Sequence, residues 1–586
     1  GILSFTLLCT SSCWQEKPGE ATPTSELDFK RKDNVVYINM PTEPNTLNPF
    51  LTIQGYARYV HEQIIQSLTE QHPETLEQVP SLASLPTIFK RPDGGVDYTY
   101  DLQANANWPN GSPVTAEDVV FTLKILFNPL VNAGIYRPYF SMIENITLNP
   151  ANEKRFKVET KEPYILSEAA IGSLQIYPEY AYDPDGLLKN IRLSDLLNTA
   201  RATQLAETNE NLKLFAERFN DAATGRDPER VVGSGPFRLV SWEAGQRIRL
   251  EAREDYWAKD RNESWLASRP EAIVYQFVED EATTANALRD QEFDGVVELG
   301  VGTFNELQAE PSVTQYYNFH NVPGGTYYSL ILNTKDPILS DKKVRRALAY
   351  LVDVESLIND NYGGLASRLT GPIVPQKAYY NDQLPEIPFD PAKAEALLRE
   401  AGWGDANNNG ILDKEINGER TELSLNVASF ASEISQSIVL LFQESAKSAG
   451  VEVNIDTQEP RTLYGNLNKG DYQIATIGVG SPPNLDDLTQ VWHTRSVPPN
   501  GTNRSRFGNA ESDRIIDRIR VTLNPTERNE LYQRIQEIVY DEQPMIFLFS
   551  PQERIIISKR FAGEPTSLTP GFEINSFQQQ DWNKAK

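Results

Sequence analysis

The chain has 586 residues, of which 39% are hydrophobic and 10% aromatic, and it carries a formal net charge of −26. This length exceeds what one hydrophobic core supports, so it predicts two or three domains. The acidic balance argues against nucleic acid as a partner, because phosphate binding requires clustered Lys and Arg.

The first 34 residues indicate targeting rather than a folded domain. Residues 1–13 read GILSFTLLCTSSC, an apolar run whose last four residues resemble a bacterial lipobox with Thr10 where Leu is usual. We expect cleavage before Cys13 and lipidation of its thiol; an ordinary signal peptide and a buried apolar N-terminus are the alternatives. Residues 14–34 are polar and show no period, which predicts a disordered tether. Cys9 is the only other cysteine, so a disulfide scaffold or a Cys-based zinc site in the body is excluded.

The body alternates between strand and helix patterns, which indicates an α/β protein. A strand at Leu423–Ala428, a helix at Ser432–Ala449 and a strand at Val451–Ile455 indicate a mixed or parallel sheet. Further strands are predicted at Val35–Asn39, Tyr98–Leu102, Phe237–Ser241, Arg247–Glu251, Gly295–Leu299, Tyr327–Leu332, Tyr472–Thr476, Ile546–Ser550 and Ile555–Ser558. Further helices are predicted at Ala57–Leu68, Ala116–Phe127, Ala282–Gln291, Asp341–Leu351, Ala392–Ala401 and Arg528–Tyr540, with helical composition over Leu187–Ala223.

The most specific pattern is a hairpin within Val231–Trp257, VVGSGPFRLVSWEAGQRIRLEAREDYW. Gly233–Pro236 predicts a tight turn into the first strand, and Trp242–Gln246 predicts the turn between the two strands. The stretch resembles "GTGPY-x-L-x-x-W-x-x-G…N-x-x-YW", a signature of the dipeptide, oligopeptide and nickel family of extracellular solute-binding proteins. Proteins of that family deliver ligands to ABC importers.

Further blocks that resemble the family occur in its order along the body. They are Thr42–Pro49, Thr69–Leu85, Asp93–Thr122, Val344–Ile358, Asp390–Trp403 and Glu527–Phe549. The resemblance implies a two-lobed "Venus flytrap" fold with an extra subdomain. Lobe I would comprise residues 35–70, 230–320 and 545–586, the extra subdomain 71–229, and lobe II 321–544. The chain would cross between lobes near Asn321–Thr326, where Gly324 and Gly325 suit a hinge, and return near Pro544.

The same resemblance implies binding and delivery rather than catalysis. A short peptide would lie extended between the lobes and pair through its backbone with strand edges. The loaded, closed form would then dock on the permease subunits of an ABC importer, which work with their ATPases. We expect a monomer in the bacterial cell envelope, on its periplasmic or extracellular face, held to the membrane by its N-terminal lipid alone and without a cofactor.

Ligand-binding residues are carried over from the family onto both lobes. They are Thr52, Ile53, Gln54 and Gly55 in lobe I, and Tyr327, Ile477, Gly478, Val479, Gly480 and Ser481 in lobe II. Peptide binders of the family often carry an Asp after the cleft strand, where it pairs with the α-ammonium of the peptide. Here Ser481–Asn484 occupies that place, and Asp486 is the nearest acid. Either Asp486 takes that role or the ligand is not a free-amino peptide, because a buried unpaired ammonium is costly.

Other functions compete with peptide binding. An oligosaccharide or a metal chelate is the rival ligand, and Trp108, Trp242, Trp403 and Trp492 could stack on sugar rings. A secreted peptidase or glycosidase is the remote alternative, because the sequence lacks G-x-S-x-G, P-loop and H-E-x-x-H motifs.

One loop suggests a structural calcium ion. Asp405, Asn407, Asn409 and Asp413 place oxygen side chains around Gly410 and resemble the start of an EF-hand loop. The twelfth position holds Ile rather than Glu, so a polar turn without an ion is the alternative.

Overall fold

One long strand, Met545–Ser558, runs through both lobes of this computed structural model, which describes residues 27–580. Its first half pairs antiparallel with Thr326–Leu332 of lobe II, and its second half pairs with Tyr317–Pro323 of lobe I. The two strands predicted at its ends are therefore one strand. The backbone crosses between lobes around Pro551, several residues after the predicted return at Pro544.

The outgoing crossing lies beside this strand, at the predicted glycines. The Gly324 amide donates to the Pro551 carbonyl at 3.1 Å. A Cβ on Gly324 would lie 2.2 Å from that carbonyl oxygen, so no side chain fits there. The two chain crossings thus touch each other, and the inter-lobe connection is a narrow two-stranded link.

Lobe I forms one end of a sheet that has twelve strands within residues 27–580. Its strands are Val35–Met40, Phe237–Glu243, Arg247–Ala252, Ala272–Phe277, Gly295–Val297 and Tyr317–Pro323. Its helices are Gly55–His61, Glu281–Arg289, Val301–Ala309 and Pro311–Thr314, with 3-10 turns at Pro49–Leu51 and Ser264–Leu266. The predicted signature hairpin is confirmed as the outer antiparallel pair, Phe237–Glu243 with Arg247–Ala252.

The extra subdomain packs against lobe I around one continuous hydrophobic core. Its strands are Thr69–Gln71, Gln78–Pro80, Thr87–Lys90, Val96–Asp101, Ile143–Leu148 and Arg155–Thr160. Its helices are Ala116–Phe127, Arg137–Phe140, Ser167–Gly172, Glu179–Tyr182, Leu193–Leu197, Thr199–Thr208 and Glu210–Asn220, followed by a 3-10 turn at Ala222–Arg226. Because the core is shared, lobe I and the extra subdomain form one packed unit.

Lobe II holds the other end of the large sheet, with a hydrophobic cluster on each face. Its strands are Thr326–Leu332, Ala366–Arg368, Ser424–Ser429, Glu452–Thr457 and Ile474–Gly480, with a separate hairpin at Asp413–Ile416 and Glu419–Glu422. Its helices are Lys342–Ala349, Val354–Tyr362, Pro391–Glu400, Glu433–Ser448, Pro460–Lys469, Thr489–Trp492, Ala510–Val521 and Pro525–Glu542, with a 3-10 turn at Thr494–Ser496. The predicted β-α-β unit is confirmed, because Ser424–Ser429 and Glu452–Thr457 pair in parallel.

The C-terminal segment returns to lobe I. It contains the short strands Phe561–Ala562 and Gln578–Gln579 and a 3-10 turn at Ile574–Ser576. Among the described residues, no helix is both long and apolar enough to cross a bilayer.

The helix predicted at Ala57–Leu68 is wrong in its second half, because it ends at His61. The glycine turn of the signature hairpin takes the carbonyls that a longer helix would use. The Gly235 amide donates to the Ile64 carbonyl at 2.8 Å, and the Phe237 amide donates to the Gln63 carbonyl at 3.1 Å. A tertiary contact therefore ends this helix.

The predicted tether is also wrong in the part that the structure describes, residues 27–34. Phe29 is buried against Tyr316, with ring centroids 5.3 Å apart, and Arg31 forms a 3.2 Å ion pair with the buried Asp294. These contacts fix the segment to lobe I. The predicted signal segment, Cys13 and most of the tether lie outside the described residues.

Candidate ligand-binding cavity

A cavity of about 660 Å³ opens where lobe I, the extra subdomain and one loop of lobe II meet. We call the side opposite lobe II the first-lobe wall; it consists of residues 49–55, Arg58 and Glu62 of lobe I and the adjoining strand Thr69–Gln71 of the extra subdomain. The lobe II side is Pro482–Asn484, which we call the proline loop. The volume lies within the range of about 300–1,000 Å³ that is usual for sites binding small molecules.

The structure places four predicted residues, Thr52 to Gly55, on the first-lobe wall. The hydroxyl of Thr52 donates to the Asn45 side chain at 2.8 Å, and the Asn45 amide donates to the Gln54 side chain at 2.8 Å. The Tyr136 hydroxyl, from the extra subdomain, donates to the Thr52 carbonyl. These bonds fix an irregular segment whose backbone would otherwise be mobile.

Apolar side chains surround the cavity mouth. Ile53 is 72% exposed, and Ile135 and Tyr139 of the extra subdomain are each 61% exposed. Large apolar side chains left open to solvent around a concave site favour a ligand with an apolar part. Trp265 also lines the cavity, and its indole N–H donates to the Pro80 carbonyl at 2.9 Å.

Charged side chains also line the first-lobe wall. Arg58 and Glu62, one helical turn apart, form an ion pair at 2.5 Å. Glu70 accepts a hydrogen bond from the Ser67 hydroxyl at 2.5 Å, and burial, followed by the nearby charge of Glu62, raises the pKa of Glu70 to about 7. Burial and the nearby Arg58 lower the pKa of His61 to about 3, so this imidazole is neutral at physiological pH.

The proline loop contributes shape rather than backbone hydrogen bonds. Two of its residues are prolines and lack an N–H donor. The Lys377 ammonium donates to the carbonyls of Pro482 and Asn484. The Gln71 side-chain amide donates to the Asn484 side-chain oxygen at 2.7 Å, which joins the proline loop to the first-lobe wall.

The other predicted lobe II residues do not line the cavity. Ile477 to Gly480 lie within the strand Ile474–Gly480, which pairs antiparallel with Thr326–Leu332, rather than in the predicted loop. Tyr327 is 3% exposed, and its ring packs against Phe547. Ser481 donates its amide to the Gly325 carbonyl at 2.8 Å. The strand predicted at Tyr472–Thr476 thus extends to Gly480, and the lining begins one residue after Ser481.

Asp486 lies behind the proline loop with its carboxylate already paired. It accepts a hydrogen bond from the Tyr379 hydroxyl at 2.7 Å and lies 3.6 Å from the Lys377 ammonium. Burial raises the pKa of Asp486 and lowers that of Lys377. The carboxylate and the ammonium offset part of each other's desolvation, so Asp486 stabilises the position of the proline loop.

The tryptophans predicted to stack on sugar rings lie elsewhere. Trp108, Trp403 and Trp492 are 3% exposed or less. The Trp242 indole donates to Glu43 at 2.7 Å. Trp265 is the tryptophan that the fold brings to the cavity.

The loop predicted to bind calcium forms turns through its own side chains. Asp405 accepts from the amides of Asn409 and Gly410, at 3.1 and 2.9 Å. Asp413 accepts from the Arg420 guanidinium at 2.6 and 2.8 Å. The described residues contain no group of three or more His, Cys, Asp or Glu placed to hold a metal ion. A calcium ion here stays a prediction, and it requires Arg420 to move away from Asp413.

A sequence profile of the bacterial extracellular solute-binding proteins, family 5, middle region, matches residues 77–501. The chain belongs to this family. Its similarity to single relatives is low but extends over nearly the whole length. The oligopeptide-binding protein AppA of Bacillus subtilis is 24% identical, over 96% of this chain and 94% of the relative. The probable D,D-dipeptide-binding periplasmic protein DdpA of Escherichia coli is 25% identical, over 94% and 93%. Heme-binding protein A of Haemophilus influenzae is 25% identical, over 93% and 92%.

Solved structures of similar binding proteins share the fold. HbpA2 from Haemophilus parasuis matches with a TM-score of 0.74 and 21% identity, over 93% of this chain and 100% of that chain. NikA from Brucella suis in complex with Fe(III)-EDTA matches with a TM-score of 0.71 and 18% identity, over 93% and 100%. AppA from Bacillus subtilis in complex with a nonapeptide matches with a TM-score of 0.61 and 21% identity, over 93% and 99%. The predicted family and the predicted two-lobed α/β fold are confirmed.

Proposed function

We propose that this family 5 protein captures short peptides in the cavity and delivers them to an ABC importer. The observation that carries the proposal is the composition of the cavity, whose lining combines exposed apolar side chains with carboxylates. A peptide offers both an apolar side chain and an α-ammonium. The similarity to AppA and DdpA, whose names describe oligopeptide and dipeptide binding, supports the same ligand class.

Backbone recognition would come from the first-lobe wall. Thr69–Gln71 pairs with Gln78–Pro80 along one edge, and these two strands form a sheet of their own. An extended peptide can add to the other edge through main-chain hydrogen bonds, which do not depend on its side chains. The proline loop would then close over the peptide.

The cellular role follows from the family and from the N-terminal sequence. We propose that the mature protein is a monomer on the periplasmic or extracellular face of the envelope, anchored by a lipid on Cys13. No bond is made or broken in this role. Docking of the closed form on the permease would release the peptide for transport.

Metal chelates and haem are the rival ligands, because similar proteins are described with them. The cavity is poorly suited to an anionic chelate. Its lining includes Glu62, Glu70 and Glu573, and within residues 27–580 Arg58 is the one Lys or Arg of the lining and is already paired with Glu62. An anion placed there would meet carboxylates without a free cation. The lining therefore favours a ligand with a positive end.

Mass spectrometry of the small molecules released by denaturing the purified protein tests this proposal. We expect a ladder of short peptides of mixed sequence. Recovery of one haem, chelate or oligosaccharide species would contradict peptide capture. Protein that has been unfolded, washed and refolded provides the control, because it should release nothing.

A further inference from the structure

The charged residues of the cavity are unequally paired. Arg58 and Glu62 pair with each other, whereas Glu70 forms no ion pair within the described residues. Its one side-chain partner is the neutral hydroxyl of Ser67. A carboxylate surrounded by protein without a cation is costly, unless a ligand supplies one.

The groups around Glu70 leave room for an added positive charge. Glu62 and Arg58 face it from the end of the helix Gly55–His61, and Tyr256 faces it from the loop after the signature hairpin. Burial, followed by the nearby charge of Glu62, raises the pKa of Glu70 to about 7, so the carboxyl of the free protein is partly protonated near neutral pH.

The backbone next to Glu70 is arranged to receive a chain. The His72 amide donates to the Glu77 carbonyl at 2.8 Å. In an antiparallel pair, hydrogen-bonded and non-hydrogen-bonded positions alternate, so Glu70 is bonded to Val79 and Gln71 is not bonded to Gln78. The N–H and C=O of Gln71 therefore point to the open edge of the strand, one residue from the Glu70 carboxyl.

We propose that Glu70 holds the α-ammonium of the bound peptide and selects for ligands with a free amino terminus. This inference rests on the proposed function and identifies the residue that sets its specificity. It moves the recognition of the ammonium from Asp486 in lobe II to the first-lobe wall. Asp486 is unsuited to the task because Lys377 already pairs with it.

A pH dependence follows. An ammonium beside Glu70 favours the charged carboxylate, so peptide binding displaces the proton and is weakened as the pH falls below 7. We expect affinity to rise about tenfold from pH 6 to pH 8, and binding at pH 7 to release about half a proton per peptide. Above pH 8 the affinity of an α-amino peptide falls again, because its own ammonium deprotonates.

The experiment uses a synthetic mixture of tri- to pentapeptides without Lys or Arg, and the same mixture after N-acetylation. The most enriched peptide is then titrated calorimetrically against wild type, E70Q, E70D and E77Q. Glu77 is exposed on the same hairpin and serves as the matched control. We expect E70Q to bind the free-amino peptide at least tenfold more weakly at pH 8, to lose the pH dependence and to release no proton. E70D and E77Q should keep the preference for a free amino terminus.

The outcomes separate the inference from the proposed function. If wild type binds free-amino and acetylated peptides equally, or if E70Q binds both as wild type does, peptide capture stands and the role of Glu70 is overturned. The same holds if D486N alone loses the free-amino preference. If wild type binds neither mixture, peptide capture and the role of Glu70 fail together. Equal melting temperatures of wild type and E70Q exclude unfolding as the cause of a loss.

Discussion

The first-lobe wall and the proline loop face the same cavity but differ in chemistry. The wall presents charged groups and an open strand edge, and several of its polar atoms have room for a ligand. The proline loop presents two pyrrolidine rings, and Lys377 already binds two of its carbonyls. This difference supports separate tasks in the proposed function, in which the wall would select the ligand and the loop would enclose it.

The largest loss of stability is expected from G233A, which disrupts the packing behind the first-lobe wall. A Cβ at this position would lie 2.1 Å from the Ile64 carbonyl oxygen, and Gly233 packs directly behind the segment that ends the helix Gly55–His61. Because backbone must move to admit the methyl group, we expect a loss of more than about 4 kcal/mol in the free energy of unfolding. Chemical denaturation measures this, and G302A, where no atom lies within 4 Å of a new Cβ, should be at least as stable as wild type, because Gly302 lies in the helix Val301–Ala309 and Ala is the better helix former.

The second-largest loss of stability is expected from K377M, which removes the ammonium that holds the proline loop in place. Removing the ammonium leaves the buried Asp486 carboxylate without its cation and frees the carbonyls of Pro482 and Asn484. We expect a loss of about 3–5 kcal/mol in the free energy of unfolding, as is usual when one partner of a buried ion pair is removed. K335M is the control, because Lys335 is exposed in the same lobe. A melting temperature of K377M equal to that of wild type would contradict the described role of Lys377.

A smaller effect is expected from Y136F, which alters the support of the wall without changing its charge. The lost hydroxyl releases the Thr52 carbonyl, and one net hydrogen bond contributes about 1 kcal/mol. Peptide binding should weaken about fivefold, as calorimetry can measure. Y139F is the matched control, since the Tyr139 ring lines the same cavity and is 61% exposed. Equal losses in both variants would show that Tyr136 does not act through Thr52.

The smallest effect on function is expected from G245A, in the turn of the signature hairpin. Gly245 has φ of +70°, where a side chain is strained, but no atom lies within 4 Å of a new Cβ. We expect a loss of about 1 kcal/mol in the free energy of unfolding and unchanged peptide affinity. A selective loss of affinity in G245A would mean that the hairpin contacts the ligand.

The sequence predicts the fold better than it predicts the cavity. The recognisable blocks are structural: the glycine turn of the signature hairpin packs on Gln63 and Ile64, and the helix Ala116–Phe127 is bounded as predicted, with a capping box at Thr115. Glycine turns and helix caps depend on residues close together in the chain, so they can be predicted from the sequence. Thr52 to Gly55, which lie a few residues after a recognisable block, line the cavity, and their contact with a ligand stays a prediction.

The lobe II part of the site depends on tertiary pairing that the sequence does not show. The run Ile477–Gly480 contains two glycines, a pattern typical of loops, yet its pairing with Thr326–Leu332 keeps it in the strand. The roles of Glu70, Tyr136 and Trp265 arise from the packing of the extra subdomain and could not be predicted. The Arg58–Glu62 pair could have been predicted from the sequence. Opposite charges four residues apart on a helix form ion pairs, and this helix lies next to a predicted ligand-binding segment.

Photo-crosslinking locates the ligand most directly. A short free-amino peptide that carries a benzoylphenylalanine is irradiated with the purified protein, and the labelled residues are mapped by mass spectrometry. We expect labels at the cavity mouth, on Ile53, Ile135 or Tyr139, and an excess of unlabelled peptide should remove them. Competed labels confined to the paired strand Ile474–Gly480, or to a surface away from the cavity, would contradict the division of tasks between the first-lobe wall and the proline loop.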